Sequence, residues 1–261
     1  MAVKASHTSE FSKSSESSFS SFGHYYLKDE IRLNLPNTTI VLNGVDSGKF
    51  SYFRSSGKNI TKKIIQTKSS TPQLELAPVL PIHTPSYKTD FFFFRLTEPV
   101  FIAAKSALET TVPFPIEIGI FLVEQDKSVG IDFFSCDPIN SRFGLYGTPE
   151  DGKLCKYATI SLSGRHAIHP FINAQFRIKI ANDLEEAVFV GKIVFPITDH
   201  DLYYHNNEID MDGLNATVKN RVGFHIIETV QNSIAKSSDW IASPRSIEKT
   251  DYKFSMDRGF D

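Results

Sequence analysis

Two carboxylates, Glu117 and Asp132, fall where a β-hairpin would set them side by side. The runs 116–123 and 128–134 flank a turn over 124–127, and centring that turn on Gln125 and Asp126 places Glu124 opposite Lys127. Ile116, Ile118, Ile120 and Leu122 then share one face with Val129, Ile131 and Phe133, so the apolar pattern agrees with the register. On the other face Gly119 lies opposite Asp132 and Glu117 sits on the diagonal, at a backbone separation of about 7–8 Å. The glycine leaves room for both acids. Phe121, Val123 and Phe134 share that face. A carboxylate pair partly shielded from water titrates upward and can bind a cation or move a proton. The competing reading is structural: each acid pairs with a Lys or Arg from the next strand on a solvated sheet face.

A second group of donors runs Asp199-His200-Asp201, Tyr203-Tyr204-His205, then Glu208, Asp210 and Asp212. Hard cations take oxygen ligands and transition metals accept imidazole, which makes Asp199, Asp201 and His205 candidate ligands for a divalent metal. The calcium-loop pattern fails: Glu208, Asp210, Asp212 and Gly213 fit its opening positions, but Lys219 stands where the closing glutamate belongs. An acidic connector after the strand-like run 188–195 gives the same composition. His166 and His169 have the spacing of a helical metal pair, yet Gly164 and Pro170 read as a turn. Arg54, Lys58, Lys62, Lys63 and Lys68 follow Phe50, Tyr52 and Phe53 with no acid among them, so Arg54 is a candidate for binding phosphate or another anion. That segment lacks the glycine of the RNA-recognition signature, and lysines on a strand edge also block aggregation. The segment from Gly44 to Lys49 is one residue short of a P-loop, and no hydrolase elbow, zinc-protease motif or dinucleotide fingerprint occurs. Nothing around Cys136 marks it as a nucleophile.

The elements that must position these groups read as strands. The chain has 22 Phe, 25 Ile, 14 Val and 9 Tyr against 16 Leu, 14 Ala and 3 Met, a balance suited to a pleated, half-buried surface. Period-two alternation is clean at Phe176, Ile178 and Ile180, and again at Ala158, Ile160 and Leu162. The continuous apolar runs 91–96 and 188–195 are expected to be covered on both faces. Strand-like runs separated by turn signals predict a mainly β protein, an antiparallel β-sandwich. The alternative is an α+β fold with a C-terminal helix over 216–230, where Val218, Val222 and Ile226 fit a helical stripe while Val222, Phe224 and Ile226 fit a strand. The expected division is a disordered Ser-rich tail over 1–21, a single β-rich domain over 22–230 and a peripheral polar segment over 231–261.

The 261 residues carry a formal charge of -2 and a pI near 6.5, so no global field draws the chain to nucleic acid or an anionic membrane. Any such binding has to be local. Two cysteines make neither a disulfide framework nor a four-ligand zinc set. No apolar stretch approaches the roughly 18 residues needed to span a bilayer, and a cytoplasmic protein with reduced thiols is expected.

Several stretches carry a family resemblance: Phe22-Gly23-His24-Tyr25, Tyr52-Phe53-Arg54, Pro115-Ile116-Glu117-Ile118-Gly119, and Leu145-Tyr146-Gly147-Thr148-Pro149 leading through Gly152 to Cys155-Lys156-Tyr157. Over about 22–230 the chain resembles the archaeal family catalogued as domain of unknown function 432. The resemblance implies an archaeal origin and a cytoplasmic setting, and it supplies no activity and no catalytic residues. The function expected is a non-enzymatic binding or interaction module with a protein or small-molecule partner. The alternative is a metal-dependent, hydrolase-like enzyme using Glu117 with Asp132 or the 199–212 cluster. Phosphate or nucleic-acid binding through residues 54–68 is a weaker alternative, and nucleic acid is not the expected partner.

Overall fold

The computed structural model describes residues 19–26, 30–68, 72–84, 88–124, 127–137, 142–148, 152–163, 167–221 and 224–245. Strands, numbered along the chain, assemble into four sheets. Sheet A has the order β1 (Gly23–Tyr26), β6 (Gln73–Val79), β9 (Glu117–Glu124), β10 (Lys127–Phe134). Sheet B is a meander of β2 (Glu30–Leu35), β3 (Thr38–Asp46), β4 (Lys49–Ser56) and β5 (Asn59–Gln66). Sheet C runs β11 (Arg142–Tyr146), β12 (Lys153–Ile160), β7 (Phe91–Ile102), β14 (Val188–Pro196). Sheet D runs β18 (Ile241–Ala242), β15 (Leu202–His205), β16 (Glu208–Arg221), β13 (Asn173–Asn182), β8 (Ala107–Pro115), and β16 also pairs with β17 (Phe224–Asn232). Among the described pairings β7–β12 and β13–β16 are parallel and the rest antiparallel.

Local chemistry explains the meander. In β2 the buried Ile31, Leu33 and Leu35 alternate with exposed Glu30, Arg32 and Asn34, the period of a half-buried strand. The β3–β4 turn requires a glycine at 48, where φ is +69° and an added Cβ would lie 2.6 Å from the Thr67 carbonyl oxygen. Ile40, Leu42, Phe50 and Tyr52 complete the buried face, and the Tyr52 hydroxyl reaches Asp132 of β10 in sheet A.

Sheets C and D meet through phenylalanines. Phe92 and Phe94 of β7 and Phe195 of β14 interlock with Phe114 of β8 and Phe176 of β13, with ring centroids 4.8 Å apart for Phe92–Phe114 and 5.6 Å for Phe176–Phe195. Each ring is essentially inaccessible to solvent. Strand β8 continues through Ile116 into β9, so sheets D and A share one run of chain, and a single apolar cluster links all four sheets.

The mainly β, antiparallel-rich architecture agrees with the sequence expectation. The C-terminal helix does not form. Leu214, Ala216 and Val218 enter the core at a period of two, and β17 pairs with β16 residue by residue, Val218 facing Ile227. The turn residues 222–223 lie outside the described residues. The run 188–195 is also corrected: it alternates, with Phe189 at 73% exposure paired to Phe101, because a bulge between Val190 and Lys192 leaves β14 with one solvent face. Residues 1–18 and 246–261 lie outside the described residues. Ser20 donates its backbone N–H to the Asn34 carbonyl oxygen, and the Phe19 ring packs edge-on against Phe171. No helix among the described residues is long and apolar enough to cross a membrane.

Buried Asn182 ties the end of β13 to the end of β7. Its amide nitrogen lies 3.0 Å from the Ala103 carbonyl oxygen and 2.8 Å from that of Glu186, while its side-chain oxygen accepts from the Leu184 N–H. Replacing it with alanine removes the side-chain partner of the Glu186 carbonyl and the Leu184 N–H, while the Ala103 carbonyl keeps the Ser106 hydroxyl. Asn182→Ala is expected to cost about 2 kcal/mol, read as a lowered urea midpoint with unchanged m; a change below about 0.5 kcal/mol contradicts this role.

Candidate functional site

Strands β9 and β10 form the expected hairpin, with Glu124 opposite Lys127; its apex residues Gln125 and Asp126 lie outside the described residues. Beyond Gly130 the register shifts. A bulge between Gly130 and Asp132 puts Asp132 opposite Ile120 and Phe133 opposite Gly119. The expected Gly119–Asp132 pairing is therefore corrected, because one extra residue sends the following side chains to the other face. Glu117 and Asp132 lie on opposite faces of sheet A. The space beside Gly119 belongs to the Phe121 ring, which a Cβ there would meet at 2.5 Å.

Each acid joins sheet A to a different neighbour. Asp132 faces sheet B, where the Tyr52 hydroxyl donates at 2.7 Å and the Arg54 guanidinium at 2.6 Å, with the Lys63 ammonium 3.6 Å away. Arg54 also donates to Thr61 and lies over the Phe134 ring. Burial and the Asp132 charge push the Tyr52 phenol far above its ordinary range. Glu117 faces the other way. It pairs at 2.6 Å with Lys156 of β12, and it accepts from the His83 N–H and from the Thr84 N–H and hydroxyl. Glu117 is 1% exposed and Lys156 3%. Burial alone would raise the Glu117 carboxyl, but the His83 and Thr84 donors and the Lys156 charge outweigh it and hold the group below the usual carboxylate range. The structure thus brings Asp132 and Arg54 together and keeps Glu117 apart from both. Burial pushes the Cys136 thiol up to about 12 and the Cys155 thiol to about 11, leaving both protonated and unreactive at neutral pH.

The acids around β15 and β16 hold the chain that follows β17. Asp212 accepts from the Asp201 N–H at 2.9 Å, the Gln231 side chain at 2.6 Å and the Ile234 N–H at 3.1 Å. Lys236 pairs with Asp210 and Arg245 with Asp201, while β18 adds to the β15 edge. His205 sits 3.6 Å from Asp239, and Asp199 ends a 3₁₀ turn, Ile197–Asp199. Asp199, Asp201 and His205 do not converge, and among the described residues no three His, Cys, Asp or Glu side chains form a metal-holding group. His166 lies outside the described residues.

A different surface gathers groups that carry neither role. The registers of sheet C place Arg142 and Tyr146 of β11, Lys153 and Tyr157 of β12, Phe91, Phe93 and Arg95 of β7, and Lys192 and Val194 of β14 on one face, away from the phenylalanine core. Phe93 stacks on Tyr157 with centroids 4.9 Å apart, Tyr146 leans on Phe93, and the Lys153 ammonium sits 4.2 Å from the Phe91 ring centre. Gly144 lies beneath the Phe93 and Tyr157 rings, where a Cβ would stand 3.2 and 3.3 Å from them. Phe91, Tyr146, Lys153 and Val194 line a groove walled by Ile227 and Thr229 of β17. Among the described residues Arg95, Arg142, Lys153 and Lys192 make no ion pair, and the strand registers put no carboxylate beside them on this face. Sequence reasoning missed this surface. The alternation Phe91/Phe93/Arg95 was available, but its neighbours come from segments about fifty and a hundred residues away.

Two expectations follow from the buried groups. Glu117→Gln leaves the Lys156 charge buried without a counter-ion and is expected to cost about 3–5 kcal/mol. Lys156→Met combined with Glu117→Gln regains part of that loss in a double-mutant cycle, and additive losses contradict the coupling. His200 is 1% exposed, edge-on to Phe195, with neither ring nitrogen hydrogen-bonded. Burial lowers its pKa from 6.5, so the unfolded chain binds the proton first and stability falls as pH drops below 6.5, levelling off under the depressed value. Titration of the unfolding free energy checks this: His200→Phe flattens that part of the profile, and an unchanged slope contradicts it.

No curated protein and no solved structure matches the chain. The family model described as "Protein of unknown function (DUF432)" matches residues 21–257, nearly the whole chain, and the protein belongs to that family.

Proposed function

We propose that the protein is a non-enzymatic binding module that takes an anionic ligand on the outward face of sheet C. One observation carries this reading: Arg95 and Lys192 are direct cross-strand partners, and among the described residues no carboxylate pairs with either. Like charges opposed across an antiparallel pair destabilise the sheet. A sequence that pairs Glu117, Asp132, Asp201 and Asp210 with cations elsewhere has left this repulsion standing. Local violations of this kind are expected at functional sites, and an anionic ligand between Arg95 and Lys192 would relieve this one. The residues suggestive of catalysis support the same conclusion, because each accessible role for Glu117, Asp132 and Arg54 is taken by a partner inside the protein.

The test is a trade-off in one variant. Lys192→Glu turns the repulsive pair attractive and is expected to raise stability by about 0.2–1 kcal/mol, while elution from heparin moves to lower salt. A variant that loses stability, or that elutes with the unaltered protein, contradicts the proposal.

A further inference from the structure

We infer that the ligand of the sheet C face is single-stranded nucleic acid, an inference that rests on the binding-face reading and specifies its chemistry. The face has aromatic rings at its centre and cations at its rim. Its rows run Thr159, Arg95 and Lys192; then Arg142, Tyr157, Phe93 and Val194; then Cys155, Phe91 and Pro196; then Tyr146 and Lys153. Adjacent strands lie about 4.8 Å apart and alternate residues about 6.6 Å apart along a strand. The cations at the two ends, Arg95 with Lys192 and Lys153, are therefore separated by roughly 20 Å, with the rings between them.

That arrangement suits a strand whose bases lie over the accessible rings of Tyr146, Tyr157 and Phe91, with Phe93 buried against Tyr157 as their support, while its phosphates reach the rim. Single-strand binders combine a cationic track with aromatic stacking platforms, and stacking tolerates any base. A duplex hides its base faces and leaves the rings without work. An acidic peptide would use the cations alone. The groove between the face and β17, lined by Tyr146, Phe91, Val194, Ile227 and Thr229, gives the strand a path along the rings. Tyr146, 37% exposed and lining both this groove and its continuation past Lys192 and His225, is the ring best placed to receive a base. In the other basic stretch Asp132 neutralises Arg54 and Lys63, which leaves Lys58, Lys62 and Lys68 as cations with, among the described residues, a single ring, Phe53, beside Lys62.

Fluorescence anisotropy with labelled oligothymidylate and oligouridylate of about 15 nucleotides tests the inference on the full chain, alongside a duplex of equal length, a poly-glutamate peptide and retention on heparin. Both single strands are expected to bind better than the duplex and the peptide, with a log–log salt slope of about -3, since each of four neutralised phosphates contributes about -0.7. Tyr146→Ala is expected to weaken single-strand binding about fivefold or more while retaining elution from heparin. Arg95→Glu with Lys192→Glu is expected to abolish binding to both, with the strand content of the protein checked by circular dichroism. Heparin retention with no preference for single strands overturns the nucleic-acid inference and leaves the binding face intact. Single-strand binding that survives both variants places the site elsewhere and overturns it as well. Absence of both heparin and oligonucleotide binding overturns the inference together with the reading beneath it.

Discussion

The rest of the structure depends on the registration of β7 in the middle of sheet C. Residues 92–96 pair with β12 on one side, and residues 91–95 and 100–102 pair with β14 on the other. Phe92 and Phe94 must point inward, because their rings fill the space between sheets C and D with Phe114, Phe176 and Phe195. Period two then leaves Phe91, Phe93 and Arg95 no choice but the outward face. A slip of one residue would expel two buried rings and put a guanidinium in the core, so the packing that stabilises the sandwich also fixes the candidate binding surface.

The charged residues that look most like chemistry serve as connections between sheets. Asp132 joins sheet A to sheet B through Tyr52 and Arg54, and Glu117 joins sheet A to sheet C through Lys156. Asp201, Asp210 and Asp212 fasten the segment after β17 to sheet D. Buried ion pairs contribute little net stability over a well-packed apolar replacement, yet removing one member is expensive. Their value here is geometric. Each pair is satisfied in one arrangement of the sheets it joins and leaves a buried charge in any other.

Much of this was legible in the sequence. The excess of Phe, Ile and Val gave the β class, the alternation at Phe176, Ile178 and Ile180 gave a one-sided strand, and Glu124 opposite Lys127 gave the start of the β9–β10 register. The bulge after Gly130 was not legible, since an alternation that continues across it looks equally good on either face until tertiary packing chooses. The C-terminal hairpin was ambiguous because Val218 and Ile226 satisfy both periods, and long-range pairing with β13 settles it as sheet. The sheet C face was hidden for a further reason: its rings and cations come from strands far apart in the chain, and a parallel pair such as β7–β12 leaves no turn signal between its members.

Whether function lies on this face, and not on the carboxylates, is tested most directly by titrating a short heparin fragment into isotopically labelled protein and following the backbone amide shifts. Perturbations are expected to concentrate at residues 91–95, 142–146, 153–157 and 192–194, with the Lys-bearing strand β5 and the surroundings of Glu117 unaffected. Shifts centred on β4 and β5 or on the residues around His200, or no shifts at all, would contradict that placement of function.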